Sequence, residues 1–204
     1  QDVAGHFFKA GGASGTIAKS ISAYDMTVSD LIYGKSGRYV SQPRLERMLE
    51  REFDQVVDRL KAEREKCRFF AFANTVAARN YQLSNESHGW IGIRFMHECD
   101  SEHSEVVMHV RMLDTHNIHQ QDALGDIGVN LIHACYFERS SSDVFYNSLF
   151  DNLDQRRLEI NMIKFSGPAF EHIDNRIANL QLVTRGLTKA VLFDEKGKVE
   201  LPSD

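Results

Sequence analysis

Residues 90–95 read Trp-Ile-Gly-Ile-Arg-Phe, and residues 106–112 read Val-Val-Met-His-Val-Arg-Met. Successive side chains of an extended strand point to opposite faces. Trp90, Gly92 and Arg94 therefore share one face of the first run, and Val107, His109 and Arg111 share one face of the second. The other face of the second run, Val106, Met108, Val110 and Met112, is apolar throughout and belongs in a core. The runs extend over 89–96 and 105–113 and are joined by the polar stretch 97–104, which predicts a hairpin. Paired in this way, Arg94, His109 and Arg111 gather on one side of a sheet. Two guanidinium forks and an imidazole suit a phosphate or carboxylate. The alternative is a solvated sheet face whose arginines pair with Asp or Glu.

Working outward, residues 68–77 form a nearly continuous apolar run, the pattern of a buried central strand. Before it, Ser41 and Pro43 open a helix over 43–66. Its apolar positions, among them Leu45, Leu49, Phe53 and Val57, recur at helical spacing, and its opposite face is charged. After the hairpin, Asp114 or Thr115 caps a helix running to about Phe137. A shorter helix follows over 143–153 and a strand over 158–165. A helix over 174–185 stops at Gly186, and a last strand covers 189–193. The order α-β-β-β-α-α-β-α-β predicts an α/β fold (or an α+β one), with a mixed sheet of about five strands and helices packed on it. Residues 1–41 read as a Gly/Ser-rich N-terminal segment and 42–204 as a single domain.

Composition sets the outer limits. The chain has 204 residues, 42% of them hydrophobic, enough for a core that buries roughly 70% of the unfolded surface. The net charge of −5 argues against a general nucleic-acid binder, which carries a basic face. No long apolar run spans a membrane, and the opening Gln1-Asp2-Val3 has no basic, then apolar, leader pattern. The cysteines Cys67, Cys99 and Cys135 are odd in number and widely spaced, so no disulfide framework is expected. A reducing compartment such as the cytoplasm fits best.

Several residues carry candidate chemistry. His88 precedes the first hairpin strand, and its near-neutral titration suits acid–base work. Arg79 and Asn80 follow the apolar strand, and ligands often sit beyond strand ends. Lys164 precedes the tight turn Ser166-Gly167-Pro168, whose amides suit an anion. The candidate site is therefore His88 and His109 for proton handling, with Arg79, Asn80, Arg94, Arg111 and Lys164 for the ligand. The stretch 11–20, GGASGTIAKS, has the glycines and lysine of a phosphate-cradling loop without the P-loop order. His97, Cys99, His103, His116 and His119 have no recognised metal-ligand spacing, so no metal is assigned. No cofactor motif is present. A non-catalytic scaffold domain, self-associating or part of a larger assembly, is the competing reading.

The segments 20–41, 69–95, 109–132 and 160–176 resemble a family of longer bacterial α/β proteins with no settled activity. The resemblance covers nearly the whole chain and corresponds to the N-terminal half of those proteins. Some of these sequences carry a nicotinate-nucleotide adenylyltransferase label, but the HxGH signature of such transferases is absent here. The resemblance implies a folded α/β domain and assigns no catalytic residue.

Overall fold

The computed structural model describes residues 2–79 and 85–201. The hairpin forms as its alternation requires. Strand β2 (His88–Met96) pairs antiparallel with β3 (His103–Met112), with Trp90 opposite His109, Gly92 opposite Val107 and Arg94 opposite Glu105. The apolar run becomes β1 (Phe70–Ala77) and the later strand β4 (Leu158–Ser166). The sheet order is β1-β2-β3-β4, and every pairing is antiparallel.

Two expectations are corrected here. Helices and strands are mixed as foreseen, but the main sheet is antiparallel with four strands, not a mixed sheet of about five. The final segment supplies only β5 (Leu192–Phe193), which pairs with β6 (Val199–Glu200) in a separate hairpin. Asp194 closes that hairpin, its Oδ1 accepting from the Lys196 and Lys198 amides at 2.9 and 2.7 Å. The outer edge of β4 is in any case already taken, as described below. Strand β1 is also not central. It lies at the sheet edge and reads as continuously apolar because helices cover both of its faces.

Those helices make three layers. On one face lies α3 (Gln42–Arg59), capped by Ser41 Oγ, which accepts from the Arg44 amide at 3.4 Å. Its Leu45 and Leu49 are fully buried against Ala73, Trp90, Val107 and Met162. Gly92 lets it come close: a Cβ there would sit 3.0 Å from Leu49 Cδ1 and 2.8 Å from the Val106 carbonyl. On the other face pack α1 (Asp2–Ala10), α4 (Asn117–His133, continued by a π-helical turn Ala134–Glu138), α5 (Ser142–Ser148) and α6 (Asn175–Thr184). They cover Ile91, Ile93, Val106, Met108 and Val110, the apolar face read from the alternation. The Gly/Ser-rich start hides α1, whose Val3 reaches this core, and α2 (Met26–Tyr33), capped by Asp25.

Arg44 ties α2 to α3. It is 1% exposed, donates to the Gly34 carbonyl and Ser29 Oγ at 2.5 Å each, and lies between the rings of Tyr33 and Tyr39. No helix among the described residues is long and apolar enough to cross a membrane.

Candidate functional site

The sheet face under α3 carries His88, Trp90, Gly92 and Arg94 from β2, and Glu105, Val107, His109 and Arg111 from β3. The face is shared as the alternation predicts, but its charged residues fall into two groups. At one end, His88 Nδ1 lies 3.0 Å from His109 Nε2. Such a contact needs a proton on one nitrogen and a lone pair on the other. Trp90 packs edge-on against His109 with ring centroids 5.0 Å apart. Beside them, Arg111 Nη1 donates to Glu159 Oε2 and its Nη2 to Glu86 Oε1, both at 2.9 Å. Glu159 Oε1 in turn accepts from Thr188 Oγ1 at 2.8 Å. His109 is buried, His88 half-buried, and the Glu86 side chain is 73% exposed.

Arg94 is at the other end. Its Nε donates to Glu105 Oε2 at 2.8 Å, and it borders a shallow groove with Glu46 and Glu50 of α3. Lys164 lies on the same face and donates to Glu46 Oε1 at 3.1 Å. From Arg94 to the level of His109 is four residues, about 13 Å along a strand. Arg94 therefore does not join the histidines, and Lys164, opposite Val107, is paired with Glu46 instead. Arg79 follows β1, and its carbonyl accepts from Asn117 Nδ2 at 3.3 Å. Asn80 lies outside the described residues. At the 166–168 turn, Ser166 stands opposite Glu105 in the ladder, the Gly167 carbonyl accepts from the Phe170 amide at 3.0 Å, and Ser104 Oγ accepts from the neighbouring Ala169 amide at 2.9 Å. Among the described residues no group of three His, Cys, Asp or Glu side chains is placed to hold a metal ion.

Sequence reasoning missed Glu86, Glu159 and Thr188, which settle where Arg111 points. Glu159 stands opposite Arg111 in the β3–β4 register, a pairing 48 residues apart in the chain. It also missed a cavity of about 620 Å³ beside β1. The cavity is bounded by Phe7 of α1, residues 14–21, Met48 and Val56 of α3, and the edge of β1. Lys19, from the stretch read as a phosphate loop, lies in its wall, pairs with Glu52 and donates to Gln55 Oε1 at 2.8 Å. Tyr33 O–H donates to Glu52 Oε1 at 3.1 Å. Burial, reinforced by the Glu52 carboxylate, pushes the Tyr33 phenol up to about 12.

No protein-family profile, curated protein or solved structure matches the chain.

Proposed function

We propose that this chain is an enzyme domain that acts by proton transfer on a small phosphate- or carboxylate-bearing ligand, with His88 as the acid–base group. The observation that carries this reading is the 3.0 Å contact between His88 Nδ1 and His109 Nε2. It fixes the His88 ring through one nitrogen, and among the described residues Nε2 has no hydrogen-bond partner. A base oriented by a second group is the usual arrangement for acid–base chemistry. His109 is then a positioning residue, held by Trp90. Arg111 supplies the anion contact. Glu159 keeps its fork in place, while the pair with exposed Glu86 is weak enough for an incoming anion to replace. The test is a titration with inorganic phosphate and with acetate, followed by NMR at the His88 imidazole and the Arg111 guanidinium. Both signals shift in the wild type and His88 does not respond in R111M. Signals that stay fixed for both anions overturn the reading.

A second reading, a non-catalytic assembly domain, draws on the apolar side chains around α2. Tyr24, Met26 and Leu31 are 84, 61 and 80% exposed. Its occupant would be a second copy of the chain. Sedimentation equilibrium of the wild type and L31E decides it: a monomer in both removes this reading.

A further inference from the structure

The two edges of the main sheet are treated differently. On β4, the main-chain groups that point away from β3 are met by α6. Asn179 Oδ1 accepts from the Ile163 amide at 2.9 Å and its Nδ2 donates to the Ile163 carbonyl at 2.6 Å. One turn earlier, Asn175 does the same for Phe165, at 2.7 and 3.0 Å. Further along, the Ile160 amide donates to the Leu187 carbonyl at 3.0 Å. This edge is closed by surrogate strand contacts.

The β1 edge has no such cover. The Met96 amide donates to the Phe69 carbonyl at 2.9 Å. With the β1–β2 register, this sets the parity: Phe69, Ala71 and Ala73 face β2, and Phe70, Phe72 and Asn74 direct their N–H and C=O groups outward. No hydrogen bond from the described residues reaches those outward groups. Edges are normally blunted by charge, proline or a covering segment. Residues 70–74, Phe-Ala-Phe-Ala-Asn, carry neither charge nor proline, and the edge borders the 620 Å³ cavity.

We infer that this cavity is a groove that takes an extended peptide as an added β-strand. It is independent of the proton-transfer reading and uses none of its residues. The wall formed by the chain runs without a break from Cys67 to Asn74, at most about 23 Å at ~3.3 Å per residue. That suits an extended ligand. An added strand bonds through its main chain and sends alternate side chains to the two sides. Here those sides are Phe7 of α1, and Met48 and Val56 of α3, which asks for apolar residues in the peptide. Charge fixes a further requirement. Lys19 is neutralised by Glu52. Arg68, at the start of the wall, stacks over the Tyr136 ring at 5.4 Å and has no ion pair among the described residues. The occupant is therefore an apolar peptide with an acidic residue at the Arg68 end.

The test uses a pool of acetylated, amidated pentapeptides built from Val, Thr, Tyr and Glu, with hydrogen exchange read by NMR at single amides. Peptide binding slows exchange at Phe70, Phe72 and Asn74 by about tenfold or more, and leaves the Ala71 and Ala73 amides, already bonded to β2, unchanged. Asn74→Pro removes one outward donor without touching the ladder to β2, and abolishes binding. Asn74→Val keeps that donor and binds as the wild type does. The inference is overturned if no pool member slows the outward amides, or if protection ignores the alternation. It is equally overturned if decanoate displaces the peptides while leaving those amides exchanging freely, which would mark the cavity as a site for small amphiphiles. Should Asn74→Pro fail to fold, the exchange pattern in the wild type decides alone.

Discussion

Asn179 bonds both main-chain groups of Ile163, accepting from its amide at 2.9 Å and donating to its carbonyl at 2.6 Å. A helix side chain thus occupies the place of a neighbouring strand. Asn179 is fully buried, so Asn179→Ala leaves an amide and a carbonyl inside the protein with no partner. The expected cost is about 3 kcal/mol, from ~1–3 kcal/mol per unsatisfied group. Asn179→Asp keeps the acceptor and loses the donor, and is expected to fall between. Urea unfolding of the three proteins checks the order.

Removing Arg44 is expected to loosen the N-terminal segment more than the sheet. Its guanidinium holds Ser29 and Gly34 and lies against two tyrosine rings. Arg44→Ala strips the 2.5 Å contacts from both, a loss of about 3 kcal/mol for a buried, multiply bonded charge. Hydrogen exchange should rise in α2 first, while amides of β2 and β3 stay protected.

Gly92 is expected to resist substitution. A Cβ at this position meets the Val106 carbonyl at 2.8 Å and the two leucines of α3 at 3.0 and 3.1 Å. The carbonyl belongs to the sheet, so β2 and β3 must shift locally as well as the leucines of α3. Gly92→Ala should cost about 1–3 kcal/mol, the usual range for overpacking, visible as a lower Tm. Gly5, with open space around its Cβ position, serves as the control and should change little.

His109→Phe tests the histidine pair. The phenyl ring preserves the packing against Trp90 but offers no nitrogen to His88 Nδ1, 3.0 Å away in the wild type. Stability should drop by about 1 kcal/mol, the usual net value of one hydrogen bond. The His88 imidazole signals should broaden as the ring gains freedom. If His88 is positioned by His109, its response to phosphate falls as well.

Tyr33 predicts an alkaline limb. The phenol is held protonated by burial first and by Glu52 second, so it titrates at about 12 against 10.0 in the unfolded chain. Between those values the unfolded state has already shed a proton that the folded state retains. Stability from this group is complete below pH 10 and is lost as pH rises toward 12. Tyr33→Phe removes that titration, so its stability should decline less steeply over this window than that of the wild type.

The hairpin shows how far alternation carries. The faces of 90–95 and 106–112 are as read, because a period of two fixes which side chains share a side. Alternation does not fix distance along the strand. Arg94 and His109 share a face but stand four residues apart along the ladder, since Arg94 is paired with Glu105 and His109 with Trp90. The partners of Arg111 were likewise hidden: Glu159 comes from a strand that meets β3 only through long-range topology. The 68–77 run misleads for a related reason. Its composition reports that both faces are covered, and says nothing about whether both edges are paired. The asparagines of α6 look like ordinary cap and surface residues until the strand beneath them is known.

The contrast between the sheet edges bears on how the molecule can grow. One side is finished by Asn175 and Asn179, and the other faces the cavity that residues 14–21 also line. Strands can therefore be added on one side alone, and two molecules cannot extend each other's sheets from both edges.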